Sequence, residues 1–322
     1  MLNNTFLSVI IPNYNGLVHL ETCFNSIRKQ TFSNYKVVLV DNGSGDGSTD
    51  FTKNNYPEIE IIELNHNTGF AKAVNAGVKY AINKLNTDYI LLLNNDIELE
   101  TAFFEKALNT LQNVPDADIV AVKMMNFFTR DIIDDTGNFI TKKGGTPYPR
   151  GNGQKDNGQY NKPEYIFGAC AGAAFYRKNV FEKAGYFDED FFAYLEDIDL
   201  SFRAQLAGLK CYYEPNIICY HKRGGSKIST LNFQVKMNER NVIWLRIKNY
   251  PFRLYLYYQP LFFLARTRKF FLLYKNYGIK TLFAALSGYL SGIIKIVFQI
   301  PKRFKIQRNK KVTAKYIYNL FR

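Results

Sequence analysis

The chain has 322 residues, 47% of them apolar, which excludes wholesale disorder and allows one large core or two modest ones. Its net charge of +14 suggests an anionic partner, yet residues 240–322 carry 18 Lys and Arg with no Asp or Glu, leaving the first 239 residues at 24 basic against 28 acidic, a net of −4. A basic surface spread over the whole chain is thereby excluded, and the C-terminal part is a separate physical object.

In chain order, apolar strands are predicted at Leu7–Ile11, Val37–Val40 and Tyr89–Leu93. Each runs directly into polar residues: Pro12-Asn13-Tyr14-Asn15-Gly16, Asp41-Asn42-Gly43-Ser44 and Asn94-Asn95-Asp96. Segments of helical period lie between and after them, at Leu17–Gln30, Ser48–Asn55, Ala71–Leu85 and Thr101–Leu111. This alternation predicts βαβ units and an α/β fold with a mainly parallel sheet, whose ligand sits at the strand ends. The turn formers from Asp41 to Asp50 predict a loop after the second strand, with Ser48 as N-cap of the helix that follows.

Gly43, Gly45 and Gly47 do not make a phosphate-binding fingerprint, because neither GxGxxG after the first strand nor GxxxxGK[ST] is present. Asp96, with Glu98 two residues on, has two readings from its position alone: ordinary loop chemistry, or a carboxylate holding a divalent metal against a diphosphate.

Further along, Tyr194–Arg203 places Leu195, Ile198 and Phe202 on one helical stripe, with Glu196, Asp197 and Ser201 facing elsewhere. Acids in a first turn complement the helix dipole, but three in four residues exceed that need. His221 follows the apolar run Ile217–Tyr220 and precedes Lys222-Arg223-Gly224-Gly225-Ser226; as one of three histidines in the chain it is a metal ligand or a plain strand-end residue. The four cysteines show no CxxC spacing and are expected as free thiols, and Phe6–Ile11 is too short for a signal h-region.

Six segments, taken together and in order, resemble the inverting nucleotide-sugar glycosyltransferases of family 2, with the glycosyltransferase-A fold, and especially their rhamnosyltransferase-like branch. They are Ser8–Gly16 (SVIIPNYNG), Val38–Ser48 (VLVDNGSGDGS), Asn67–Val78 (NTGFAKAVNAGV), Leu91–Asp96 (LLLNND), Gly168–Arg177 (GACAGAAFYR) and Gly185–Arg203 (GYFDEDFFAYLEDIDLSFR), within about residues 6–225.

The resemblance implies a nucleoside diphosphate-sugar donor, with Pro12, Tyr14 and Asn15 lining its pocket, Asp41 accepting from the base, and Gly69, Phe70 and Asn75 closing over the nucleotide. It implies Mg²⁺ or Mn²⁺ on Asp96, with His221 as second protein ligand, and Asn94 beside sugar or water. Asp197 would be the general base, and Glu196 would orient the acceptor or the base. Where the family often has two aspartates flanking one residue, this chain has Asn94-Asn95-Asp96, and an amide is a weaker metal ligand. The implied activity is transfer of a sugar, rhamnose first, to a glycan or lipid-linked acceptor in cell-surface polysaccharide synthesis. A sugar-1-phosphate nucleotidyltransferase is disfavoured because Ser8–Gly16 lacks its Arg and glycine pattern, and a non-catalytic membrane-associated binding module leaves the motif series unexplained.

The C-terminal part alternates apolar stretches (Leu254–Phe263, Phe270–Tyr277, Leu282–Ile300) with Arg266, Arg268, Lys269, Lys275, Lys280 and Lys295, and ends in the polybasic Lys302–Lys311. The expectation is a catalytic domain over residues 1–230, then a helical, basic membrane-contact region over 231–322. Its helices would lie on an anionic leaflet at the cytoplasmic face, peripheral or monotopic, in preference to spanning the bilayer or packing on the catalytic domain. No zinc-finger spacing, RNP-like strand or recognition-helix pattern supports nucleic acid.

Overall fold

Four strands, β1 (Leu7–Asn13), β2 (Tyr35–Asp41), β3 (Glu60–Glu63) and β4 (Tyr89–Leu93), pair in parallel in a computed structural model that describes residues 5–223 and 231–322. Helices α1 (Leu17–Arg28), α2 (Ser48–Asn55) and α3 (Phe70–Asn83) connect them, and α4 (Phe103–Asn113) follows. The predicted alternation is present, with β3 and its partly exposed edge as the strand the apolar runs did not mark. Ser48 is the first residue of α2 and not its cap: Gly47 holds the cap position at φ 83°, and Asp46 accepts the Ser48 N–H at 3.1 Å.

The sheet continues through β5 (Ile97–Leu99), β6 (Ile119–Asn126), β7 (Ile133–Asp135), β10 (Glu164–Ile166), β11 (Ala173–Arg177) and β12 (Cys211–His221), while β8 (Asn138–Ile140) and β9 (Pro147–Pro149) form a separate hairpin. The path is β10-β12-β6-β11-β4-β1-β2-β3, with β5 on β12 and β7 on β6. β11 runs antiparallel to both neighbours, so the parallel half and the mixed half meet at β4. Alternation along the strands separates two cores: Leu7, Val9 and Ile11 face α1 and α4, whereas Ile10, Val38 and Val40 face α3.

After α5 (Lys178–Lys183) comes α6 (Glu196–Leu206), and then the C-terminal helices α7 (Leu231–Asn249), α8 (Phe252–Tyr277), α9 (Ile279–Ile294), α10 (Ile300–Arg308) and α11 (Ala314–Leu320). Gly224, Gly225 and Ser226, and the residues just before the expected boundary at 230, lie outside the described residues. The C-terminal helices share a core with the catalytic part: Phe167, Phe191, Ile198 and Phe202 pack with Trp244, Leu245, Tyr250, Tyr258 and Phe321. Trp244 donates its indole N–H to the Gly292 carbonyl at 3.0 Å, joining α7 to α9. Asp199 is fully buried, because Arg203, Lys248 and Asn249 at 2.9, 2.7 and 2.6 Å surround its carboxylate. The last acid of the chain, Glu239, is likewise buried against Arg266 and Lys269 at 3.0 and 2.6 Å.

Candidate active site

The ends of β1, β2 and β4 converge on a cleft of about 420 Å³, a size suited to a small ligand. Of the residues expected to bind the donor, Pro12, Tyr14, Gly69, Phe70 and Asn94 line it, together with the expected metal residues Asp96 and His221. Gly69 has φ 88°, and a Cβ there would lie 2.6 Å from the Phe192 ring and carbonyl, so only glycine allows this close approach.

Asp41 and Asn15 stand behind this wall and not on it. Asp41 is buried, accepting from Asn13 Nδ2 at 3.1 Å and from the Ser44 N–H at 2.9 Å. Asn15, at φ 50°, accepts the Gly45 N–H at 2.8 Å. Together they brace the Gly-rich loop against the end of β1. Asn75 stands away from this cleft: its amide donates to the Phe187 carbonyl at 2.9 Å and to Glu189 at 3.0 Å, and accepts the Phe187 N–H at 3.0 Å. It ties α3 to the segment before α6 and lines a different hollow, of about 620 Å³, on the α10 side.

Asp96 and His221 meet because β5 pairs with β12, with Ile97 opposite His221. His221 Nε2 is 3.2 Å from Asp96 Oδ1, and His221 Nδ1 is 2.8 Å from Asp134 Oδ2. Asp134 comes from β7, which pairs beside β12's other neighbour, β6. Burial alone would lower the imidazole pKa, but the hydrogen bonds to Asp134 and Asp96 outweigh it and push it up to about 9. Burial tends to raise the Asp96 carboxyl, yet the bond to His221 holds it below its ordinary value.

This donor set fits a divalent cation. One carboxylate and one imidazole face the cleft, and a second carboxylate grips the far ring nitrogen, as outer partners of metal-bound histidines do. Among the described residues no group of three or more His, Cys, Asp or Glu is arranged for a metal, so this pair would supply two protein ligands and leave the remaining positions open.

Asp197 is outside the cleft wall, three residues past the cleft-lining Tyr194, in the first turn of α6. Its Oδ2 accepts from Asn138 Nδ2 at 3.1 Å and from the Ala171 N–H at 3.4 Å, and its Oδ1 from the Ile198 N–H at 2.8 Å. Gly172, next to Ala171, accepts the Asn94 N–H at 2.7 Å, so one loop joins Asp197 to the metal end of the cleft. Burial raises the Asp197 pKa, against the lowering effect of those N–H donors.

Glu196, expected to orient acceptor or base, directly precedes Asp197 as the first residue of α6. It is only 7% exposed, its Oε2 has no hydrogen-bond partner, and burial followed by the nearby Asp197 charge pushes its pKa up to about 8. The residue that holds Asp197 is Asn138, which sequence reasoning missed, as it missed Asp134. Both lie in Asp134-Asp135-Thr136-Gly137-Asn138, an acidic turn after the apolar Ile132-Ile133, the same kind of signal that marked Asp41 and Asp96.

The segment before α6 is strained. Phe192, Tyr194 and Leu195 have φ of 62°, 70° and 67°, each costing on the order of 1–3 kcal/mol for a residue with a side chain. Asn241, fully buried on α7, offsets this: its Nδ2 lies 3.0, 2.8 and 2.7 Å from the carbonyls of Phe191, Ala193 and Tyr194. Phe192, Ala193 and Tyr194 themselves line the cleft.

The chain matches glycosyl transferase family 2 over residues 8–185. It is 26% identical over 204 residues to the low-salt glycan biosynthesis hexosyltransferase Agl10 of Haloferax volcanii, covering 62% of this chain and 61% of that one. It is 25% identical over 242 residues to an N-acetylglucosaminyl-diphospho-decaprenol L-rhamnosyltransferase of Mycobacterium tuberculosis, covering 68% and 77%. In fold it is similar to the mannosyltransferase PcManGT of Pyrobaculum calidifontis, solved with GDP-Man and Mn²⁺, at TM-score 0.51 and 15% identity over 98% of this chain and 85% of that one. With strand ends, cleft and family match in agreement, the chain has the glycosyltransferase-A fold and belongs to glycosyl transferase family 2.

Proposed function

We propose that the protein is an inverting glycosyltransferase that moves a sugar from a nucleoside diphosphate donor to a hydroxyl of a glycan or lipid-linked acceptor in cell-surface polysaccharide synthesis. The observation that carries this reading is the cleft at the parallel strand ends, with Asp96 and His221 at one end and Asp197 tied to it through the Ala171-Gly172 loop. Rhamnose and a lipid diphosphate acceptor are the first pair to test, supported by the mycobacterial relative.

In this reading Asp197 takes the proton of the acceptor hydroxyl as that oxygen bonds to the anomeric carbon, and the bond to the diphosphate breaks on the opposite face with its electron pair leaving on the nucleotide. Asn138 and the Ala171 N–H hold the carboxylate in place. Asp96 and His221 would hold Mg²⁺ or Mn²⁺, which when bound neutralises the leaving charge. Tyr14, Gly69 and Phe70 enclose the nucleotide.

The test is nucleoside diphosphate release from thymidine-, uridine- and guanosine-linked sugars, with and without Mn²⁺ or Mg²⁺. Release is expected from one donor only and to stop on chelation, and Asp134→Asn should raise the metal concentration required by about 10–100-fold, the usual effect of loosening a ligand's outer partner. Release from none of these donors, with membrane extract supplied as acceptor, would move the protein to the binding-module class.

The C-terminal region is proposed to sit on the cytoplasmic face of the membrane. Phe252, Leu256, Leu264, Phe271, Phe283 and Phe298 are exposed among basic side chains, and among the described residues one helical run, Ile279–Arg308, is long and apolar enough to cross a bilayer. Lys295, Lys302, Arg303, Lys305 and Arg308 within that run favour a surface position over a span. Flotation with vesicles should show binding that rises with anionic lipid and is stripped by high salt or alkaline carbonate; retention through both washes would mean a span.

A further inference from the structure

A separate hollow of about 640 Å³ opens between the tip of the β8–β9 hairpin and one flank of α8. Its α8 wall carries the aliphatic residues Leu261, Leu264, Ala265 and Leu272 at helical spacing, with Arg268 and Lys269 among them. Basic side chains ring it: Lys142 and Lys143 from the hairpin, Arg268 and Lys269 from α8, and Arg322, and no lining residue is acidic. Lys269 and Arg322 are balanced by Glu239 and Glu164, whereas among the described residues Lys143 and Arg268 have no ion-pair partner. The hollow therefore joins an aliphatic floor to uncompensated positive charge.

The hairpin tip is firmly built. The Gly145 carbonyl accepts from Tyr250 Oη at 2.7 Å and from Arg246 Nη1 at 3.1 Å, and Gly145, at φ 57°, packs so closely that a Cβ would lie 2.8 Å from the Tyr258 ring. β8 starts at Asn138, which holds Asp197, and Thr141 on the hollow's wall is three residues further, about 10 Å along an extended strand. Leu261, Leu264 and Leu272 are also exposed, so the hollow opens onto the same α8 surface that carries the proposed membrane contact.

We propose that this hollow binds the phosphate or diphosphate head and first carbons of the lipid that carries the acceptor sugar. This rests on the glycosyl-transfer reading above. An inorganic anion would leave the aliphatic floor uncovered, and a neutral lipid would leave Lys143 and Arg268 uncompensated; a long-chain phosphate satisfies both halves. The head would lie at one end of the hairpin strand whose other end, Asn138, holds the proposed base.

The experiment uses the full chain and geranylgeranyl phosphate below its micellar concentration, with orthophosphate and geranylgeraniol as separate arms, read by calorimetry. The phosphate lipid is expected to bind at least tenfold more tightly than the alcohol, with no binding of orthophosphate at the same concentrations. Lys143→Glu with Arg268→Glu should weaken it at least tenfold, as should Leu264→Ser alone, while melting temperature and donor turnover with a soluble acceptor stay at wild-type values. Equal affinity for the alcohol, or unchanged affinity in the double variant, overturns the proposal. Turnover is read independently: lipid binding without turnover of any donor defeats the glycosyl-transfer reading and leaves the hollow's ligand class standing.

Discussion

Asp197→Asn should lower kcat for sugar transfer by about 10²–10⁴-fold, the range general-base catalysis contributes, while the donor dissociation constant changes little. The amide cannot take a proton, and Asp197 is off the wall of the donor cleft, so donor contacts survive the change. Fold should survive as well, since an asparagine oxygen can still accept from Asn138 and Ala171. The wild-type pH profile gives a second check. Burial raises the Asp197 pKa, and the base acts only when ionised, so kcat/KM should fall as pH drops, along an acid limb set above the ordinary aspartate range. Burial, followed by the nearby Asp197 charge, raises the Glu196 pKa, which favours its neutral form beside Asp197. A profile flat down to pH 4, or an Asn variant with wild-type turnover, would remove Asp197 from this role.

Asn241→Leu should produce a large loss of stability from a position outside the cleft. The substitution removes a donor shared by three carbonyls in a fully buried place: those of Ala193 and Tyr194 lose it, while the Phe191 carbonyl still accepts from Arg240 Nη2 and the Ala193 N–H, each at 2.7 Å. Unsatisfied buried polar groups cost about 1–3 kcal/mol each, so a net loss on the order of 3 kcal/mol is expected, read as a drop in denaturant midpoint. Phe192, Ala193 and Tyr194 line the cleft and Asp197 follows within three residues, so donor KM should rise and kcat should fall together, each by tenfold or more. Asn238→Leu, one turn earlier on α7, whose amide donates to the Gln234 carbonyl at 2.9 Å, is the control and should change neither. Wild-type kinetics in Asn241→Leu at a temperature where the variant is folded would show that the segment holds its shape unaided.

The parts of the site that were legible in the sequence share one property: they follow locally from strand and turn. Asp41, Asp96 and His221 each end an apolar run, and the sheet brings those ends to the cleft or just behind it. Asn138 and Asp134 sit in or beside strands of three residues, too short to show a period, and their partners are 59 and 87 residues away. The placement of Asn75 and Glu196 was hidden for a different reason. Each occupies a motif position but turns inward, and orientation depends on the packing of α3 and α6, which the order of residues does not express. The antiparallel entry of β11 between β4 and β6 was hidden likewise, because Ala173–Arg177 reads the same in either direction. In the C-terminal region composition marked helices and charge, but the division of aromatic residues between a shared core and an exposed face is a tertiary property.

The bond between Trp244 and Gly292 has a practical consequence. Trp244 is the only tryptophan in the chain, and it is buried where α7 meets α9. Arg240 on the preceding turn stacks 4.4 Å from its ring, and Phe191, next to the strained segment, meets it edge-on at 6.2 Å. The protein thus has a built-in fluorophore at the junction between its C-terminal helices and its catalytic half. A red shift in its emission on adding lipid or donor would signal that the junction has opened to water, with no label attached.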